Sequence, residues 1–159
     1  MSRVDYYDDP DAPEPNSLVP AASAIVADDT GRILLQKRVD NDLWALPGGG
    51  MEIGESIAET IVREVREETG LDVMPTYVTA VYSDPKHLMA YDDGEVRQEF
   101  SVCVACRIVG GALRVSDESR EVAFHSSDKI ASLRMHPRIR ARVDDYLAGI
   151  RAGLNPSVK

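Results

Sequence analysis

The sequence predicts an α/β layered domain. Three observations carry that prediction: strand-like apolar runs recur through the chain, a helix-period segment over residues 56–69 sits between two of them, and a second helical repeat closes the C-terminal part. Elements mixed in this order imply a sheet with helices packed on it. At 159 residues the chain is long enough for one domain with a real core, and its 43% hydrophobic content is ordinary for a globular protein.

The elements follow in order. Residues 1–16 carry Asp5, Asp8, Asp9, Asp11 and Glu14 among prolines and read as an extended or disordered acidic arm. A strand is expected over 18–27, a turn at Asp28-Asp29-Thr30-Gly31, and a returning hairpin strand over 32–38. Residues 44–47 form a short strand, then Gly48-Gly49-Gly50 a loop. The helix over 56–69 has Gly54 just before it and Gly70 placed as a left-handed C-cap. Residues 73–83 read as a strand, 84–94 as a polar loop with a turn at Asp92-Asp93-Gly94, and 96–109 as a long strand. Along that strand Phe100, Val102, Val104 and Ile108 share one face, while Arg97, Glu99, Ser101, Cys103 and Ala105 share the other. Gly110-Gly111 turns the chain, 122–125 is a short strand and 126–133 starts a short helix. Pro137 suits the first turn of the last helix, whose Ile139, Val143, Tyr146, Leu147 and Ile150 should dock on the sheet. Residues 17–150 thus make the domain, and 151–159 a frayed tail.

Composition narrows the function. The net charge is −9, from 27 acidic against 18 basic side chains, which disfavours nonspecific nucleic-acid binding. It leaves room for a small phosphorylated ligand held through a metal. No apolar run approaches the roughly 18 residues that span a membrane, and the N-terminus is unlike a secretory signal, so a cytoplasmic location is expected. Cys103 and Cys106 form a C-x2-C inside a strand. Side chains three apart on a strand point to opposite faces, so buried thiols are expected rather than a metal or redox pair.

The chemistry concentrates in one helix. Placed at about 100° per residue, Ile57, Ala58, Ile61, Val62 and Val65 form an apolar arc, Glu59 and Arg66 lie opposite, and Glu64 and Glu68 fall at the arc's edge with Glu67 beside them. Like charges at this spacing repel by about 0.2–0.5 kcal/mol per pair. Clustered carboxylates that tolerate such repulsion suit a hard divalent cation; a salt-bridged surface helix, with Arg63 paired to Glu67 and Glu59, is the plainer alternative.

The flanking residues decide between these. Gly49, Glu55, Arg63, Glu64, Glu67, Glu68 and Gly70, with aliphatic Val65 and Leu71, match every position of G-x5-E-x7-R-E-U-x-E-E-x-G-U, where U is aliphatic. A chance match is on the order of 10⁻⁹ per start position at average residue usage. The segment resembles the Nudix box of MutT-like hydrolases. Trp44-Ala45-Leu46-Pro47-Gly48 ahead of it and Glu118-Ser119-Arg120-Glu121-Val122-Ala123-Phe124 later extend the resemblance.

The resemblance implies a mixed β-sheet between helices and a Mg²⁺- or Mn²⁺-dependent pyrophosphohydrolase. Glu64, Glu67 and Glu68 would hold the metal with the Gly48 carbonyl; Glu64 would also orient the attacking water, and Arg63 would steady the cluster. Glu52 and Glu118 are further candidate ligands, and Glu55 is open between metal, water and helix-dipole roles. Lys37, Arg38, Arg97 and Glu99 are candidate substrate contacts; His87, His125 and Trp44 carry weaker signals. The expected substrate is a nucleoside diphosphate linked to another moiety, first a (d)NTP or modified nucleotide, second ADP-ribose or another sugar nucleotide. A catalytically silent nucleotide-binding module and an RNA-end decapping enzyme are the rivals. The oligomeric state, a homodimer included, is open.

Overall fold

The computed structural model describes residues 3–154. Nine strands and three helices follow in the order β1 Arg3–Tyr7, β2 Ala21–Ala27, β3 Ile33–Arg38, β4 Trp44–Ala45, β5 Gly48–Gly50, α1 Ile57–Thr69, β6 Leu71–Tyr91, β7 Val96–Gly111, β8 Ser119–His125, α2 Ser127–Ser132, α3 Pro137–Leu147 and β9 Gly153–Leu154. The sheet runs β1-β6-β7-β2-β3-β4, with β5 paired to β2, β8 to β3 and β9 to β6. It is mixed: β2 lies parallel to β7, and β9 to β6, while the other pairings are antiparallel.

Alternation along the central strands sends side chains into two cores. One lies under α1, where Ile61 and Val65 pack on Ala22, Ala24, Val26 and Val104. The other lies under α2 and α3, where Ile130 and Val143 pack on Ile25, Ile33, Leu35 and Cys103. The sheet therefore sits between helices, as expected. Cys106 belongs to the first core and Cys103 to the second, so the two free thiols point to opposite faces. Among the described residues no helix is long and apolar enough to cross a membrane.

Several expectations are corrected. The acidic arm is extended but not detached: Arg3–Tyr7 pairs in register with Tyr91 back to His87 of β6. Gly48-Gly49-Gly50 is a strand, β5, pairing Gly50, Gly49 and Gly48 with Ala21, Ala22 and Ser23. The polar stretch after Ser83 is no loop, because β6 continues to Tyr91 with β1 on one side and β7 on the other. Its polar side chains hide the strand because they meet partners, not core: Lys86 reaches Asp8, and Asp84 pairs with Arg138. Finally, the buried face of α1 is rotated from the apolar arc. Thr60, Ile61, Val65, Glu68 and Thr69 are buried, while Ala58 is exposed and Val62 half-buried. On α3, Val143 is buried and Ile139 and Tyr146 pack beside it, but Leu147 faces out. Of the expected tail, Gly153–Leu154 pairs with Ala80 and Val81, and residues 155–159 lie outside the described residues.

Candidate active site

Helix α1 is held at both ends by its own sequence. The Ser56 hydroxyl accepts from Glu59 N–H at 3.1 Å while the Glu59 carboxylate reaches back to Ser56, a reciprocal capping box. This fixes Glu59 as a cap, not the partner of Arg63. At the other end Gly70 adopts φ 79° and its N–H caps Arg66 O. Between these ends, the 64 and 68 positions turn toward β5 and β3.

Glu68 is 5% exposed. Its Oε2 accepts from Gln36 Nε2 at 2.7 Å and from Gly48 N–H at 3.0 Å. Gln36 Oε1 in turn accepts from the Ser119 hydroxyl at 2.5 Å. Burial first, and then the Glu64 carboxylate beside it, push the Glu68 carboxyl well above its ordinary range, against the pull of Gly48 and Gln36. Glu64 packs against β5: a Cβ on Gly49 would lie 2.5 Å from Glu64 Oε1. Only glycine at 49 leaves that carboxylate where it is.

Arg63 is the organiser of the cluster. Its guanidinium donates to both oxygens of Glu55, to Glu64 Oε1 at 2.9 Å, to Glu67 Oε2 at 3.3 Å and to the Gly50 carbonyl at 3.1 Å. Glu55 also accepts from Thr60 Oγ1 at 2.8 Å and Glu52 N–H at 3.0 Å. Arg63 and that backbone donor hold the Glu55 carboxyl down at about 2. Glu55 is thus Arg63's counter-ion. Glu52 is more exposed, 3.9 Å from Arg63 Nη1.

The residues fit a hard cation. The donors are all oxygen, and burial with the neighbouring Glu64 carboxylate disfavours the charged form of Glu68, which a divalent ion would relieve. In the arrangement described, Arg63 stands among the carboxylates, and among the described residues no three His, Cys, Asp or Glu side chains already converge as a metal cage. Glu118 is exposed on the loop before β8. The link from that loop to the cluster is its neighbour Ser119, through Gln36.

On the other side of β5 lies a cleft of about 460 Å³. Gly48, Gly49 and Gly50 wall it, so one strand borders both the glutamates and the cleft. Arg97 lines it close to β5, held by Glu95 at 2.8 and 3.0 Å and lying over the Tyr91 ring at 4.6 Å. Arg38 lines it too, paired with Asp40 at 3.0 Å. Lys37 is half-buried and lies outside the wall. Glu99 is 4% exposed and accepts from Arg142 Nη2 at 2.9 Å. Arg97 and Glu99 therefore share the cleft but do not pair with each other.

The sequence points to His87 and Glu99 but not to the residues that join them. Asp5 and Tyr7 of β1, and His136, Arg138 and Arg142 at and on α3, join His87 and Glu99 in the cleft wall. His87 Nδ1 lies 3.4 Å from Glu99 Oε1, and Nε2 lies 3.9 Å from Asp5 Oδ1. The Tyr7 ring stands 4.4 Å from His87 and stacks on His136 at 4.1 Å. Trp44 is buried at the cleft wall, edge-on to His125 at 4.7 Å. The missed Gln36 did leave a signal, a single amide inside an apolar strand. Asp5, Tyr7 and Arg142 left none, since their roles depend on elements meeting from opposite ends of the chain.

Comparison with known proteins agrees with this geometry. The NUDIX domain model matches residues 17–146. An ADP-ribose pyrophosphatase of Methanocaldococcus jannaschii is 33% identical over 131 residues, covering 80% of this chain and 72% of that protein. YjhB of Bacillus subtilis is 33% identical over 102 residues, 64% of this chain and 48% of that protein, so the match spans about half of that relative. A NUDIX hydrolase structure from Nitrosomonas europaea superposes with a TM-score of 0.69 at 23% identity, covering 86% of this chain and 93% of that one. The chain belongs to the Nudix hydrolase family.

Proposed function

We propose that this Nudix hydrolase cleaves the pyrophosphate bond of a nucleoside diphosphate linked to another moiety. The observation that carries the reading is the placement of Glu64 and Glu68 against Gly48 and Gly49, the same backbone that walls the cleft. Glu64, Glu67, Glu68 and the Gly48 carbonyl would hold Mg²⁺ or Mn²⁺, with Glu52 beside them and Glu118 as an outlying candidate. When bound, such an ion neutralises phosphate charge and lowers the pKa of water.

The chain supplies the rest. Glu64 orients the attacking water and takes its proton. Gln36 and the Gly48 N–H fix Glu68, so its second oxygen has a set direction. Arg63 keeps Glu64 from swinging outward while Glu55 offsets its charge. Arg97, already oriented by Glu95, can meet a phosphate beside Gly50. Phosphoryl transfer depends chiefly on such positioning and electrostatics.

A nucleoside triphosphate or modified (d)NTP is the first substrate reading, with pyrophosphate released. ADP-ribose or a similar sugar nucleotide is the second, supported by the name of the Methanocaldococcus relative. A nucleotide panel with Mg²⁺, and again in EDTA, tests both when the products are separated: pyrophosphate with a nucleoside monophosphate reports the first class, AMP with ribose 5-phosphate the second. Metal-dependent cleavage of one class is expected. Cleavage that survives thorough chelation would overturn the metal assignment, and no cleavage of any pyrophosphate compound would leave a silent binding module.

A further inference from the structure

The family match begins at residue 17, yet β1, Arg3–Tyr7, lies in the cleft wall through Arg3, Asp5 and Tyr7. This strand lies outside the matched span, and the cleft wall is incomplete without it. Asp5 faces one nitrogen of His87, Glu99 faces the other, and Arg142 closes the series from α3. Tyr7 fills the space between the His87 and His136 rings.

Four buried polar atoms in this wall have no hydrogen-bond partner among the described residues: His87 Nδ1 and Nε2, Arg142 Nε and Glu99 Oε2, the last being the one carboxylate oxygen. Glu99 Oε1 accepts from Arg142, but Oε2 is buried and has no hydrogen-bond partner among the described residues. A buried acceptor left unmade is costly, and this one belongs to a cleft-lining side chain. Its charge excludes a phosphate as the natural occupant; its chemistry asks for a neutral or positive donor. A nucleoside carries such donors as sugar hydroxyls and base N–H groups, and its base has a flat face suited to an aromatic wall. The phosphates would then lie at the other end, by Arg97 and β5.

We propose that β1 is a substrate-reading element of this chain: with Glu99 it forms the nucleoside subsite, Tyr7 and its flanking rings shaping the wall and Glu99 Oε2 accepting a hydrogen bond from the nucleoside. The inference rests on reading the cleft as the substrate site. A site built around a buried acceptor discriminates strongly, because a ligand lacking the donor leaves it unpaired.

The test is calorimetric titration in Mg²⁺ with nucleoside 5′-monophosphates of the four common bases, their 2′-deoxy forms, and methylenediphosphonate as a nucleoside-free probe. None of these has an anhydride to cleave, so binding is read whether or not the chain hydrolyses anything. In Glu99→Gln the amide oxygen keeps Arg142 and the NH₂ takes the place of Oε2, setting donor against donor. Glu99→Gln and Tyr7→Ala should each weaken the preferred monophosphate at least about tenfold, with methylenediphosphonate shifting less than about threefold, and Tyr7→Phe should recover most of the loss. A penalty that disappears on the 2′-deoxy ligand identifies a sugar hydroxyl as the donor; one that persists on it but varies with base identifies a base N–H. Thermal melting checks each variant, and if Glu99→Gln does not fold, Tyr7→Ala on the edge strand decides alone. Wild type binding no monophosphate better than methylenediphosphonate, or variants weakening both probes alike, would overturn the subsite. Monophosphate binding without any hydrolysis of the panel would instead overturn the enzymatic reading and leave the subsite standing.

Discussion

Glu55, Arg63, Glu64 and Glu68 meet because they lie on one helix and the loop that enters it, whereas Asp5, His87, Glu99 and Arg142 meet only because β1, β6, β7 and α3 pack together. Both groups border the same cleft-facing strand or its cleft. The first is organised mainly by local features, helix periodicity, a capping box and one arginine, with Gln36 and Gly48 reaching Glu68 from outside the helix. The second depends on strand pairing between residues more than eighty positions apart, such as Asp5 with Met89. Chemistry assembled locally should resist changes elsewhere in the fold; recognition assembled across elements should respond to each of them.

The largest effect should come from the local side. Glu64→Gln and Glu68→Gln each remove a charge expected to hold the ion or move the proton, so kcat should fall at least about a hundredfold on every substrate. Circular dichroism should show both variants folded, Glu68→Gln because Gln can still accept from Gln36 and Gly48. Near-normal turnover in folded protein would remove these carboxylates from catalysis.

This contrast explains what could be read from sequence. The glutamate cluster was legible because its spacing, its glycines and its helix all fall in one short segment. Even there, the buried face of α1 is rotated from the apolar arc, since Thr60 and Thr69 are buried with hydrogen bonds that no hydrophobic arc reveals. The sandwich was legible through alternation in β2 and β7 and through the periodicity of α3. Residues 84–91 look like a loop in sequence because their polar side chains meet distant partners on the β1 side and on α3. The cleft wall is half-legible for the same reason: Arg97 and Glu99 stand out, but nothing near them names Asp5, Tyr7 or Arg142.

Two glycines sharpen the comparison at an intermediate scale. Gly49→Ala would set a Cβ 2.5 Å from Glu64 Oε1, an atom at the end of a flexible side chain. The carboxylate can retreat, so the melting temperature should hardly move while kcat drops about tenfold or more. Gly70→Ala is the converse. Its φ of 79° and a Cβ placed 2.3 Å from the Ala112 carbonyl strain the backbone itself. Stability should fall by about 1 kcal/mol or more, with turnover per folded molecule held within about threefold. The opposite pattern in either variant would break the separation between geometry of the site and stability of the fold.

The smallest expected effect is a pH dependence of the docking of β1. His87 is 5% exposed and faces Asp5 and Tyr7 of β1 and Glu99 of β7; behind these stand Arg142, which pairs with Glu99, and His136, which stacks on Tyr7. Burial disfavours the charged ring, but Asp5 and Glu99 outweigh it and hold the His87 pKa above its ordinary 6.5. In turn, against burial, His87 and Arg3 hold Asp5 below its ordinary 3.8, and His87 and Arg142 hold Glu99 below 4.5. A raised histidine stabilises fully below its unfolded pKa and loses that stabilisation as pH rises through the folded value; lowered carboxylates stabilise above their unfolded values and lose it as pH falls through the folded ones. Docking should therefore be strongest between about pH 5 and 6.5 and weaken above that range. Amide exchange of residues 3–7, corrected for intrinsic rates, should show protection falling a few-fold by about pH 9, while amides of β2 under α1 stay constant. His87→Phe should flatten the profile. Protection that rises with pH, or that is as steep in His87→Phe as in wild type, would mean that strand pairing alone holds β1 and that the buried charges take no part.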